Sequence, residues 1–207
     1  MKKILISLLM VIPMMVAAQD NTWEKVDKVG AESTNPDAKY LIEGAVPEVD
    51  GKVCWQKIIE APGKSAQQIY DILLEQLSKM VTEENQLFEK SKVAIQDQVK
   101  HQLGASFHEW LVFKNTALSL DRTVLNYQII VKCSDGKADV QMTRVSYNYE
   151  LERDPVYYTA EEWITDKVAV NKKRTKLTKL SAKFRRKTID RKDYIFREIK
   201  NTLLLED

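Results

Sequence analysis

Apolar side chains recur at three- and four-residue intervals over Ile69, Tyr70, Leu73, Leu74, Leu77, Met80 and Val81. That spacing lays one stripe along a helix of about four to five turns. Ser65 and Gln68 stand just ahead of it, three residues apart, where a hydroxyl and an amide can satisfy exposed backbone donors at a helix start. Residues 52–59 read as a strand, preceded by the turn signal Asp50-Gly51 and closed by Pro62-Gly63. Residues 93–97, 106–113, 122–133 and 137–149 read as four more. In the third of these, Leu125, Tyr127, Ile129, Val131 and Cys133 alternate with Asn126, Gln128 and Lys132, and only Val124 and Ile130 intrude on the polar face. Such alternation predicts an antiparallel sheet with one covered face. Asp135-Gly136 supplies the turn into the next strand. There the apolar phase shifts between Met142 and Val145, which predicts a bulge.

The last quarter returns to helical spacing. Thr159 and Glu162 repeat the capping-box interval, and Ala160, Trp163, Ile164, Lys167 and Val168 share a face. Leu177, Leu180 and Phe184 continue a narrower stripe, and Ile195, Phe196, Ile199 and Leu203 mark a last helix beginning near Asp190. Strands and helices are segregated rather than alternating, so the expected class is α+β, an antiparallel sheet with C-terminal helices packed on it.

Composition agrees with a packed core: 44% of the 207 residues are apolar and 30% charged. Six Gly and five Pro exclude a collagen-like or linker-dominated chain. Residues 1–18 read as a secretory signal peptide. Lys2 and Lys3 precede an apolar run from Ile4 to Val16, and Val16-Ala17-Ala18 offers a cleavage site that leaves Gln19 first. The run falls short of the roughly 20 residues that span a bilayer, and no later stretch is apolar enough to do so. The mature chain is therefore expected to be exported, periplasmic or outer-membrane-associated, and not transmembrane. Residues 19–39, polar and aperiodic with Gly30 and Asn35-Pro36, read as a flexible lead-in. Residues 40–150 form the α+β core, and residues 151–207 a basic helical extension that completes the same domain.

The charge is unevenly spread. Residues 167–200 hold 14 basic and three acidic side chains, whereas the stretch before them is acidic. If residues 172–187 are helical, Lys172, Lys176, Lys179, Lys183 and Lys187 form one line suited to anionic lipid or an acidic envelope polymer. A solvated helix face is the plainer reading. Cys54 and Cys133 leave two alternatives open in an exported chain: a disulfide, or two separate buried thiols.

Candidate chemistry is sparse. His101 and His108 are an odd number of residues apart, which sends them to opposite faces of a strand. His108-Glu109 lacks the second histidine of a zinc-protease helix. No nucleophile elbow, phosphate-binding glycine loop or dinucleotide fingerprint occurs, so neither a cofactor nor a metal is expected. Tyr147, Tyr149, Tyr157, Tyr158, Trp110 and Trp163 either line a carbohydrate or peptide groove or pack the sheet.

Several segments together carry a resemblance. They are Lys39-Tyr40-Leu41, Gly44-Ala45-Val46-Pro47-Glu48, Asp50-Gly51-Lys52-Val53, the helix start from Ser65 to Ile69-Tyr70-Asp71, and Leu118-Ser119-Leu120-Asp121-Arg122-Thr123. The tail adds Thr159-Ala160-Glu161-Glu162-Trp163-Ile164-Thr165-Asp166 and Lys183-Phe184-Arg185-Arg186-Lys187-Thr188-Ile189-Asp190. In this order, over roughly residues 39–200, they resemble DUF4468, a family of exported Bacteroidetes proteins of unknown function. The resemblance implies a TBP-like β-α-β-β-β-β-α core and carries over no catalytic residue. Fold alone does not fix function. The expected function is a non-catalytic binding or interaction module, with an envelope protein or glycan as partner. Peripheral attachment to an anionic surface through residues 172–187 comes second and an enzyme last. Export takes the chain away from chromosomal DNA, so no nucleic-acid partner is expected.

Overall fold

The computed structural model describes residues 21, 23–24, 35–151 and 154–205. The leader read at residues 1–18 lies outside them. Helix α1 (Ala38–Leu41) and strand β1 (Glu48–Val49) lead to β2 (Lys52–Glu60), α2 (Ala66–Met80), β3 (Lys92–Asp97), β4 (Gln102–Thr116), β5 (Ser119–Ser134) and β6 (Lys137–Tyr149). After them come β7 (Val156–Thr159), α3 (Ala160–Trp163), α4 (Asp166–Ala169) and the 27-residue α5 (Lys179–Leu205). The strands form one antiparallel sheet in the order β1-β2-β6-β5-β4-β3, with β7 also paired to β6. The expected β-α-β-β-β-β-α order is present as β2 through β6 and the helices after it, with β1 and β7 added.

Alternation sets which face is covered. Leu125, Tyr127, Ile129 and Val131 of β5, Leu103, Ala105, Phe107 and Leu111 of β4, and Val53, Trp55 and Ile59 of β2 are buried on the inner face. There they meet Ile69, Leu73 and Leu77 of α2 and Phe184, Ile195 and Ile199 of α5. Helix α2 starts at the expected capping box. The Gln68 N–H donates to Ser65 Oγ at 3.3 Å, and the Ser65 N–H donates to Gln68 Oε1 at 2.8 Å. The turn at Asp135-Gly136 is tied to that start by the Ala66 N–H, 2.8 Å from Asp135 Oδ1. Gly136 has φ +74°, a conformation that a Cβ would strain.

The bulge falls where the apolar phase shifts. Asn126 pairs with Ser146 and Gln128 with Thr143, so Arg144 and Val145 together oppose Tyr127. Met142, Val145 and Tyr147 thus all point inward. Past this kink the outer edge of β6 exchanges β2 for β7 as its partner. The far edge, β4, is covered in series by β3, by residues 85–87 and by Asn21. Asn21 Nδ2 donates to the Val112 carbonyl at 2.7 Å, and its Oδ1 accepts the Val112 N–H at 2.9 Å. Within the stretch read as a lead-in, Asn21 and Trp23 are therefore buried, and Glu24 pairs with Lys187. The sheet edge on this side is then the short β3, and a short edge strand is a poor template for pairing with other chains.

The C-terminal half differs from its sequence reading in three respects. Strand β7 stands ahead of the capping box, the face read over Ala160, Trp163, Ile164, Lys167 and Val168 is split between α3 and α4 with Lys167 and Val168 exposed, and the later helices are divided differently. Residues 172–187 are not one helix followed by another near Asp190. Residues 172–178 form a tight loop closed by a bridge between Val170 and Leu177, and α5 then runs unbroken from Lys179. The stripe looked interrupted because Arg185, Thr188 and Arg191, all polar, are fully buried members of it.

Candidate functional site

Cross-strand partners share a face, so register lays out the uncovered side of the sheet in rows. One row carries His108, Asn126 and Ser146, and the next carries Trp110, Val124, Asn148 and Tyr157. Beyond His108 come Ser106, Gln128, Thr143 and Cys54, then Gly104, Ile130, Gln141 and Gln56. Amides and hydroxyls dominate. They brace one another: Asn126 Nδ2 donates to Asn148 Oδ1 at 2.7 Å, and Asn126 Oδ1 lies 2.7 Å from His108 Nδ1. Gln56 Nε2 donates to Asp139 at 2.8 Å.

At one end of this face the rows open into a cleft of about 310 Å³, lined by Trp110, Leu120, Arg122, Asn148, Tyr149 and Leu151 among others. The Arg122 guanidinium lies 3.7 Å from the centre of the Trp110 ring, a cation–π stack that fixes both groups. In the cleft wall, Asp121 accepts from Lys183 at 2.7 Å and from the Tyr149 hydroxyl at 2.9 Å. Burial pulls the Lys183 ammonium down, but Asp121 and Tyr149 outweigh it and hold Lys183 above the usual lysine range. Burial raises the Tyr149 phenol. The cleft thus offers an aromatic wall, an amide and a stacked cation. Among the described residues, no three His, Cys, Asp or Glu side chains gather in a way that could hold a metal ion.

The aromatic set read from the sequence divides between surface and core. Trp110 and Tyr149 line the cleft, and Tyr157 is exposed in the row of Trp110. Tyr147, by contrast, is buried against Phe184, and Tyr158 stacks on Trp163 at 4.0 Å with Phe184 beside both. His101 sits in the β3–β4 turn against Tyr70, whereas His108 faces the open side. Cys54 and Cys133 are free thiols. Cys54 faces outward on β2 and Cys133 inward on β5, with β6 between them, so the strands alone lie about 10 Å apart, beyond disulfide reach. Of the two alternatives, the fold presents separate thiols.

The expected lysine line also breaks. Lys172 and Lys176 lie in the loop before α5, Lys183 is held by Asp121, and Lys187 is paired with Glu24. Only Lys179 of the helical members stays exposed without a described carboxylate. The residues that sequence reasoning missed are Asn126, Arg122 and Asn148. Asn126 was visible as the polar phase of β5, but joining Arg122 and Asn148 to Trp110 requires the register.

Residues 55–148 match the model of DUF4468, described as a domain of unknown function with TBP-like fold. A solved structure of a DUF4468 family protein from Bacteroides ovatus is 41% identical, with a TM-score of 0.75 over 82% of this chain and 95% of that one. The chain belongs to the DUF4468 family. A TBP-like protein from Parabacteroides distasonis, 20% identical with a TM-score of 0.64 over 77% of this chain and 97% of that one, shares the fold. No curated protein matches. In this DUF4468 chain four of the segments that carry the resemblance, those holding Tyr40, Gly44, Ile164 with Asp166, and Arg185, meet at the buried side chain of Arg185. Its guanidinium donates to the Tyr40 carbonyl at 2.8 Å, the Ile164 carbonyl at 2.6 Å and Asp166 Oδ1 at 2.7 Å. Asp166 also accepts from Arg174 and from the Gly44 N–H, and Tyr40 donates to Asp190. Every polar arm is occupied within the fold, so this knot is architecture rather than a reaction centre.

Proposed function

We propose that this DUF4468 protein is an exported, non-catalytic recognition module whose uncovered sheet face takes an envelope glycan, with the Trp110 cleft as its terminal subsite. The observation that carries the reading is the row Trp110, Val124, Asn148, Tyr157. It places two aromatic rings on a braced amide surface, across about 14 Å. Sugar rings stack on aromatic faces through their C–H groups and hydrogen-bond to amides, and a pre-braced surface loses little freedom on binding. A nucleic-acid face would instead need clustered cations to meet phosphates. The central positions, Gln56, Ser106, Asn126, Gln128, Gln141 and Thr143, are neutral, and the cations Lys92, Arg122 and Lys132 stand apart at different rows of the face.

Retention on purified peptidoglycan and on immobilised envelope polysaccharide tests the reading. Wild-type protein is expected to bind one of them, and Trp110→Ala and Tyr157→Ala to weaken that binding at least tenfold without lowering thermal stability. Retention on neither, or retention unchanged in both variants, overturns the glycan reading. Recovery of an envelope protein crosslinked at Gln56 or Asn126 instead would replace it with a protein partner. Export is tested separately. Protein from the cell envelope is expected to begin at Gln19 by mass spectrometry, and an intact chain confined to the cytosol would overturn that part.

A further inference from the structure

A second surface, unconnected with the sheet face, lies where α4 gives way to α5. The loop there is built rather than slack. Asn171 Oδ1 accepts the N–H groups of Thr175 at 2.8 Å and Lys176 at 3.1 Å, and the Thr178 N–H donates to the Ala169 carbonyl at 2.9 Å. Lys172, Lys173, Lys176 and Lys179 are exposed on it, and no described carboxylate pairs with any of them. Leu180, 72% exposed, follows Lys179 directly, and Val168, 39% exposed, stands on α4 at the other end of the loop. Thr178 links the two: its hydroxyl donates to the Val168 carbonyl at 3.0 Å, two residues before Leu180.

We infer that this tip docks on an anionic lipid surface, its lysines meeting headgroup phosphates while Leu180 and Val168 enter the interface. A soluble polyanion would use the charges and leave the two apolar side chains in water, whereas a bilayer uses both. Because the loop is already ordered by its own hydrogen bonds, docking loses little conformational entropy. Lys183 and Lys187 take no part, their charges being committed to Asp121 and Glu24. Among the described residues no helix is long and apolar enough to cross a membrane, so attachment of this kind is peripheral. Each lysine near an anionic leaflet contributes about fivefold in affinity.

Co-sedimentation of the full chain with phosphatidylglycerol vesicles, and with phosphatidylcholine vesicles as comparison, tests the inference. Binding is expected to the anionic vesicles alone and to fall steeply from 0.05 to 0.5 M salt as the screening length shortens. The joint variant Lys172→Glu, Lys173→Glu, Lys176→Glu, Lys179→Glu should lose it by at least 100-fold with unchanged thermal stability. A control of equal charge change, Lys57→Glu, Lys90→Glu, Lys92→Glu, Lys132→Glu, should keep it within about fivefold. Leu180→Ser should weaken vesicle binding severalfold while leaving binding to soluble heparin unchanged. Equal binding to both vesicle types, equal loss in the control, or no effect of Leu180→Ser overturns the inference.

Discussion

Glu109 and Arg191 meet inside the core, each fully buried, through two parallel bonds of 2.8 Å; Gln86 and Glu83 complete the group. Burial raises the Glu109 carboxyl against the pull of Arg191. Burial would lower the guanidinium, but Glu109 and its neighbours hold it well above its ordinary value. Removing one partner strands the other charge, whereas replacing both with apolar groups does not. Glu109→Ala is therefore expected to cost about 3–5 kcal/mol in urea unfolding, and Glu109→Leu with Arg191→Met to cost less than either single change. A double-variant loss equal to the sum of the two single losses would show that the pair is uncoupled. The thiols give a second residue-scale expectation. Burial pushes Cys133 up to about 12 and also raises Cys54. In native protein at pH 8, a thiol reagent should leave Cys133 unmodified and label the half-exposed Cys54 slowly. After denaturation it should count two thiols with or without reductant.

At the scale of elements, α2 was legible from its start to its apolar stripe because its signals are local: a capping box and a 3.6-residue period. Ser65→Ala should cost about 1 kcal/mol, read as a lower urea midpoint. The strands and the β6 bulge were legible from phase, since Met142, Val145 and Tyr147 can share a face only if a residue is added. Helix α5 was not. Its buried positions include Arg185, Thr188 and Arg191, which look like surface residues until their partners, far away in sequence, are known. The candidate site was half visible for the same reason, with Trp110 and Tyr157 named among several aromatics and Arg122 and Asn148 unseen. Helix α1 is held by paired carboxylates. The bidentate bond from Arg186 pulls Asp37 down, and at Asp166 the Gly44 N–H and Arg185 outweigh burial to the same effect. A carboxylate lowered in the folded state stabilises it above the unfolded value, near 3.9, and that stability is lost as pH falls through the folded value. Urea midpoints should therefore fall steeply below about pH 4, and Asp37→Asn with Asp166→Asn should flatten that fall. An unchanged slope would mean that other acids govern it.

For the molecule as a whole, the sheet divides labour between its two faces. One is sealed by α2 and α5, and the other is left with braced amides and a cleft. The order in which the chain is made then matters. Arg185 joins the carbonyls of Tyr40 and Ile164, so the beginning and the end of the described domain close on one side chain. A nascent polypeptide presents its strands long before it presents this clamp. Until α5 has been made, the inner surface lacks Phe184, Ile195 and Ile199 and the packing stays incomplete. A domain whose clamp is made after every one of its strands cannot complete its packing until α5 has been synthesised.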